Sequence, residues 1–267
     1  MTGISVRIAA TPMERDWKSL FEETYAGSPS AVAERVWREV YGAEYPEGVD
    51  PYSYVSASEL RRIAEETRVG EGGVLVDLGC GRGGAGLWVA AATGASLIGI
   101  DIASNALADA RRRADAMHFG SRADFLEGSF ESTGLPEGAA DAVMSIDALL
   151  FTADKRAALE ELRRVIRAGG RLVFTSWDYH RQPAGRPPQV DDHRPLLTAA
   201  GFDVRAYEET DDWRRRVSVS AAGLLENVDE LAAESGDDVT QTRSQLEEMQ
   251  ATIDAMTRRV LVVAQAG

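Results

Sequence analysis

Between residues 74 and 208 the chain alternates short apolar runs with helical stretches, and no other feature restricts its fold so strongly. The runs "GVLVDL", "SLIGID", "ADFLEG", "DAVMSID" and "RLVFTSW" have the length and β-branched content of strands. Residues 85–93, 104–119 and 154–168 between them carry helical spacing. Parallel strands need long crossovers, and crossover helices bury both sheet faces, so near-continuous apolar strands separated by helices specify a parallel, doubly covered sheet. Gly169-Gly170 reads as the stop of the third helix. "HRPLLTAAGF" then reads as a short helix leading into the strand "DVRAYEE". The expected fold is a Rossmann-like, doubly wound α/β sheet of seven strands, with the last, "RRVLVVAQ", antiparallel.

The flanks do not share this alternation. Residues 1–73 are expected to be mostly helical and to form an N-terminal lid, with a Pro- and Gly-punctuated loop at "YGAEYPEGVDPYSYVS". Ser58 is the expected cap of a helix over 59–68. Residues 74–210 are the expected α/β core. Residues 211–257 place Leu224, Val228, Leu231, Leu246, Met249, Ile253 and Met256 at helical spacings, broken at "ESGDD". They read as a helical insertion before the final strand at 258–267. That spacing suits either a cap over the site or a homodimer surface.

The first strand runs into "VLVDLGCGRGGAG", whose glycines satisfy two fingerprints. Gly79, Gly81 and Gly84 spell the dinucleotide pattern; Gly79, Gly81 and Gly83 spell G-x-G-x-G behind Asp77. In an open α/β sheet ligands bind outside the carboxyl ends of the strands. The second strand ends in Asp101, a carboxylate that can take both hydroxyls of a ribose. NAD and S-adenosylmethionine each carry one, so Asp101 does not separate them. Asp77 does: a carboxylate ahead of the turn repels a diphosphate and attracts an ammonium. A flank of some seventy residues before the glycine strand is also unusual for a dinucleotide domain.

"VLVDLGCGRGG", "IGIDIASNALADAR", "FLEGSFESTGLPEGAADAVMSIDAL", "EELRRVIRAGGRLVFTSW" and "LLTAAGFDV" follow one another in the order used by class I S-adenosylmethionine-dependent methyltransferases of the small-molecule, natural-product type. The chain resembles that family over roughly residues 70–208. The resemblance implies S-adenosylmethionine as cofactor, with Asp77, Gly79, Cys80 and Gly81 at its methionine end. It implies Asp101 on the ribose, Ile102 on one face of adenine, and Ser129 and Phe130 at the adenine edge. Ser129 stands where the family often has Asp. Asp147 and Ala148 would border the methionine moiety and methyl group, although Asp147 also suits a strand-end turn. Cys80 reads as a small packing residue within the turn.

Methyl transfer needs alignment of acceptor, methyl and sulfur with water excluded, and a base only for some acceptors. Among three histidines, His180 follows the fifth strand on the ligand side and is the candidate catalytic residue. His118 reads as exposed at a helix end, and His193 as a cap or surface residue. Asp147 and Asp178 both follow strands and suit a magnesium site on paper, but Asp178 lacks the second adjacent ligand that catechol-type enzymes use, so no metal is expected. Tyr25, Trp37, Tyr41 and Tyr179 are candidate walls for an apolar acceptor, or packing residues of the lid.

Formal net charge is −14, which disfavours nucleic acid and anionic membranes as partners. The basic clusters are Arg111–Arg113 and Arg214–Arg216, and the first reads as a solvated helix face. One cysteine allows no intrachain disulfide and no cysteine-based metal site. No run reaches membrane-span length and the start lacks a secretory core, so a cytoplasmic location is the expectation. The expected activity is methyl transfer from S-adenosylmethionine to an O, N or C atom of an apolar small molecule in secondary metabolism. The alternatives are a cofactor-binding cyclase of the same fold without methyl transfer and, more remotely, an NAD-dependent oxidoreductase.

Overall fold

The computed structural model describes residues 16–267; the start of the expected lid, 1–15, lies outside the described residues. The seven strands are β1 (Val74–Leu78), β2 (Ser96–Asp101), β3 (Ala123–Glu127), β4 (Ala140–Ile146), β5 (Ile166–Tyr179), β6 (Phe202–Glu209) and β7 (Met256–Ala266). They form one sheet in the order β3-β2-β1-β4-β5-β7-β6. β7 runs antiparallel to both β5 and β6, and the other pairings are parallel. Chain direction thus makes β7, the last strand, fill a slot between two earlier ones.

Alternation along the strands sorts the core into two layers. Leu75, Leu97, Phe125, Met144 and Val173 face one side. There they meet α3 (Ala57–Thr67), α4 (Gly84–Thr93) and α5 (Ser104–Ala116) through Leu60, Ile63, Leu87 and Leu107. Val76, Val143, Phe174 and Val262 face the other side, against Leu159 and Leu162 of α6 (Lys155–Val165) and Leu197 of α7 (Arg194–Ala199). The sheet is doubly wound.

Two local readings are corrected. α6 stops at Val165, capped by Ile166, and Gly169-Gly170 does not end it. These glycines sit inside β5, where the register with β4 shifts between Ala140 and Ala142. Gly170 is packed so tightly that a Cβ would meet the Asp141 carbonyl oxygen at 2.6 Å. Ser56, rather than Ser58, caps α3: its side chain accepts from the Glu59 amide while the Glu59 carboxylate accepts from the Ser56 amide. "SASE" is a capping box, and reciprocal bonding outcompetes a lone serine two residues later.

The flanking helices are α1 (Trp17–Thr24), α2 (Ala31–Tyr41), α8 (Trp213–Glu226), α9 (Val228–Ser235) and α10 (Val239–Ile253). Val36, Trp37, Tyr41, Leu224, Val228 and Leu246 form a cluster of their own, so α2 and the three inserted helices pack on each other. Gly223 permits the close crossing, since a Cβ there would meet Val36 Cγ1 at 2.8 Å. A second cluster of Leu150, Trp177, Trp213, Val217 and Met256 seats α8 on the carboxyl end of the sheet. The insertion therefore covers the ligand end of the strands.

Candidate active site

A cleft of about 1500 Å3 lies between the carboxyl ends of the strands and these covering helices. Its floor is the β1–α4 turn. Gly79 has φ 75°, and a Cβ there would meet Ala148 Cβ at 2.4 Å. Gly81 has φ 50°, and a Cβ would come within 2.9 Å of the Tyr25 hydroxyl. Both positions combine a left-handed backbone with close approach, so only glycine fits. The Gly79 and Cys80 amides donate to the Ile100 carbonyl, which binds the turn to the end of β2. Cys80 is buried beside it, and burial, followed by the charges of Asp77 and Asp101, pushes its thiol well above the ordinary range. It is a packing thiol rather than a reactive one.

Two carboxylates face this floor. Asp101 is held from below, one oxygen accepting from the Gly81 amide (2.8 Å) and the other from the Ala103 amide (2.9 Å). Each oxygen keeps a lone pair for a further donor, the arrangement a ribose diol requires. Burial raises its pKa despite these bonds. Asp77, only 2% exposed, is pushed up to about 7, first by burial and then by the Asp101 charge. A buried acid in that state is best neutralised by a cation, not a diphosphate. Ile102, Ser129 and Phe130 line the same end of the cleft.

Asp147 lines the cleft but is not free within it. At φ 52°, its carboxylate turns back into the protein. One oxygen accepts from Thr175 Oγ1 (2.7 Å) and Arg259 Nε (3.0 Å), the other from the Tyr54 amide (2.9 Å) and Arg259 Nη2 (3.1 Å). Arg259 is 1% exposed and also holds Glu59 of α3 (2.7 Å). With four donors on its carboxylate, Asp147 ties β4, β5, β7 and the 53–54 strap together. Its side chain is spent, so its backbone, with Ala148, is what is left to border a ligand.

Above the floor the walls are aromatic. Tyr54 lies between Trp37 (ring centroids 5.5 Å apart) and Trp177 (5.9 Å, edge-on). Phe151 packs against both Trp17 and Phe21, each at 5.0 Å. The strap carrying Tyr54 is fixed by the Trp37 indole donating to the Ser53 carbonyl (3.0 Å) and by the Tyr41 hydroxyl donating to the Tyr54 carbonyl (2.9 Å). Ser53 Oγ and Trp177 Nε1 are buried, line the cleft and have no partner among the described residues.

α1 closes the floor from outside although it buries none of its own side chains. Glu22 accepts from the Ser104 and Asn105 amides, at 2.7 and 3.2 Å, and so caps α5, whose own Ala103 cannot. Arg82 of the glycine turn pairs with Asp109 (2.8 Å), donates to the carbonyls of Tyr25 and Gly27, and packs on the Tyr25 and Tyr52 rings. Burial pushes the Tyr25 hydroxyl up, so it stays protonated over Gly81.

Several expected residues stand elsewhere. His180 is exposed and outside the cleft lining, with its backbone amide on the Ala255 carbonyl. Alternation explains this, because β5 ends at Tyr179 and the chain turns away. Tyr179 is buried beside Trp177 and Trp213 beneath the cap, and Tyr41 is spent on the strap; neither lines the cleft. Tyr25 and Trp37 do. His193 is wholly buried rather than at the surface, within hydrogen-bonding distance of Asp178 (3.2 Å), Tyr207 (3.3 Å) and Ser176 (3.4 Å). Asp178 also accepts from Arg258 (2.6 Å) and Tyr207 (2.5 Å). Burial alone would raise Asp178, but bonds from His193, Tyr207 and Arg258 outweigh it and hold its pKa down. Asp178 and Asp147 thus point from opposite faces of the sheet into separate networks and share no metal. Among the described residues no group of three or more metal-binding side chains converges. His118 is exposed after α5.

Sequence reasoning missed Tyr54, Trp177, Ser53 and Arg259. Trp177 was legible from alternation, since it shares a face of β5 with Thr175; the others depend on a strap and a strand that are remote in sequence.

Comparison with known proteins bears on the strands that carry this floor. A family model described as a methyltransferase domain matches residues 76–174. Methyltransferase GfsG of Streptomyces halstedii is 28% identical over 48% of this chain and 46% of its own length. The chloroplastic tocopherol O-methyltransferase of Arabidopsis thaliana is 29% identical over 79% of this chain and 64% of its own. The chain therefore spans less than two thirds of either relative. Among solved structures, the [4+2]-cyclase SpnF superposes with a TM-score of 0.72 at 22% identity, over 95% of this chain and 96% of that one. Geranyl diphosphate C-methyltransferase from Streptomyces coelicolor A3(2) gives 0.66 at 15%, over 96% and 100%. Residues 76–174 are thus similar to a methyltransferase domain, and the fold is the one these solved structures share.

Proposed function

We propose that the protein transfers the methyl group of S-adenosylmethionine to an apolar small molecule. The observation that carries this reading is the continuity of the cleft. The floor built from Asp77, Gly79, Gly81 and Asp101 opens directly into the aromatic chamber of Trp37, Tyr54, Phe151 and Trp177. The volume of about 1500 Å3 exceeds the roughly 300–1,000 Å3 of a single small-molecule pocket. It suits a donor and an acceptor together.

Asp101 would receive the ribose hydroxyls, and Asp77 the ammonium of the methionine moiety. Ile102 and Phe130 would sandwich the adenine, with Ser129 at its edge. The bound cofactor supplies an electrophilic methyl on a sulfonium. The chain's own part is to orient the acceptor and exclude water. The aromatic walls would hold an apolar skeleton, while Trp177 Nε1 and Ser53 Oγ donate to one or two of its oxygen atoms. α1, clasped by Arg82 and Glu22, would keep water from the donor.

One observation favours the second reading, a cyclase that keeps the cofactor without methyl transfer. Asp147 is the titratable side chain at the end of β4, and Arg259 occupies it; no histidine of the described residues lines the cleft. A reaction that needs no base fits that environment, whether methylation of an activated carbon or a ring closure. Incubation with methyl-labelled S-adenosylmethionine and a panel of apolar hydroxylated or polyunsaturated acceptors tests both. Labelled product with equimolar S-adenosylhomocysteine supports methyl transfer. Conversion of an acceptor without label replaces it with the cyclase. Binding of NAD in place of S-adenosylhomocysteine overturns both.

A further inference from the structure

At the opposite end of the sheet from the cleft lies a second, smaller cavity of about 520 Å3, walled almost entirely by charge. Arg62, Arg68, Arg171 and Arg205 face it, with Glu66 and Glu208 as the only acids. On a chain of net charge −14 such a concentration of arginine is out of keeping with the surface. The acids are already used: Arg62 pairs with Glu66 at 2.9 Å and with Glu208 at 3.5 Å. Arg205 pairs with Asp203 (2.8 Å), which lies outside the cavity. Arg68 and Arg171 have no ion pair and no side-chain hydrogen bond among the described residues.

Arg171 is the decisive residue. It is 6% exposed and stands in register with Gln265 of β7, near the start of β5, at the base of the cavity. A guanidinium carries five donors, and those of Arg171 open into the cavity, where desolvation without an acceptor is costly and a ligand can reach them. Gln265, the neutral side chain nearest in register, gives its amide to the Gly169 carbonyl. Burial, then the adjacent charges of Arg68 and Arg205, pull the Arg171 pKa down, and the Glu66 charge offsets only part of this.

We infer that this cavity binds a small phosphate-bearing anion, with Arg171 at its base and Arg68 and Arg205 closing over it from the exposed rim. Planar guanidinium forks match phosphate oxygens bidentately, and three of them around one cavity select a multivalent oxyanion over chloride. The cavity is large enough for a phosphomonoester or diphosphate headgroup and too polar for an apolar body. The inference is independent of the chemistry in the cleft, which shares none of these side chains.

Calorimetric titration of the full chain with inorganic phosphate, pyrophosphate and glycerol 3-phosphate tests it, with hexaglutamate as a further arm. Pyrophosphate is expected to bind one to one. Arg171→Gln, and separately the exposed double variant Arg68→Gln/Arg205→Gln, should weaken it by about tenfold or more, while Arg156→Gln on the far face of α6 should not. Tighter binding of glycerol 3-phosphate than of phosphate identifies an organic phosphate as the ligand; the reverse identifies the free oxyanion. Arg171→Met should also raise the melting temperature of the anion-free protein and abolish the stabilisation that pyrophosphate gives. No binding at about 10 mM pyrophosphate, wild-type affinity in both arginine variants, or preference for hexaglutamate would each overturn the proposal. So would a lowered melting temperature in Arg171→Met with binding intact.

Discussion

Asp77→Asn probes the floor of the cleft most sharply. The Asp77 carboxyl titrates near 7 in the folded protein against 3.8 for an ordinary aspartate. The folded chain therefore binds this proton more tightly than the unfolded chain. Below pH 3.8 the residue costs nothing; the cost grows as pH rises from there and levels off above 7. At 1.36 kcal/mol per unit, ionised Asp77 destabilises the protein without ligand by about 1.7 kcal/mol near pH 5 and by about 4 kcal/mol near pH 8.5. Asn keeps the shape and removes the charge. Urea unfolding of the ligand-free wild type and Asp77→Asn should show the variant more stable, by a margin that widens by about 2–3 kcal/mol between these pH values. Binding reverses the sign, because the ammonium of the cofactor needs the carboxylate. Calorimetric affinity for S-adenosylhomocysteine should fall about tenfold per pH unit below 7 in the wild type, and should be weaker and flat with pH in the variant. A stability gap constant with pH, or pH-independent affinity in the wild type, would refute the placement of Asp77 as a buried acid facing a cation.

Other expectations follow from the same geometry. Arg259→Met strands the carboxylates of Asp147 and Glu59 in the interior and should cost about 3–5 kcal/mol in denaturant unfolding. Gly81→Ala adds a Cβ at positive φ against the Tyr25 hydroxyl; calorimetry should show at least about a tenfold loss of S-adenosylhomocysteine affinity. His193→Ala leaves Asp178 and Ser176 short of a partner and should destabilise by about 2–3 kcal/mol in urea unfolding. His180→Ala should change stability by less than about 0.5 kcal/mol, and a methyl-transfer assay should show turnover within twofold of wild type. Ser56→Ala removes one half of the α3 capping box and should lower unfolding free energy by about 1 kcal/mol.

What was legible in the sequence is what neighbouring residues decide among themselves. Strand and helix alternation, the glycine turn with Asp77, and Asp101 at the end of β2 all follow from backbone preferences and periodicity over a few residues. The β5 bulge and the Ser56 cap were misread where two local signals competed, a Gly-Gly stop against a buried register shift and one serine against another. Beyond that range only the tertiary structure decides. Asp147 is a free strand-end carboxylate in sequence and a locked one in the fold, because Arg259 reaches it from 112 positions away. His180 and His193 exchange their expected places, one turned to solvent by the end of β5 and the other drawn inside by Asp178. The insertion became a cap because β7 must return between β5 and β6, which carries α8, α9 and α10 across the ligand end of the sheet. Pairings of this kind depend on strand order, and strand order is a property of the whole sheet that no local stretch of chain contains.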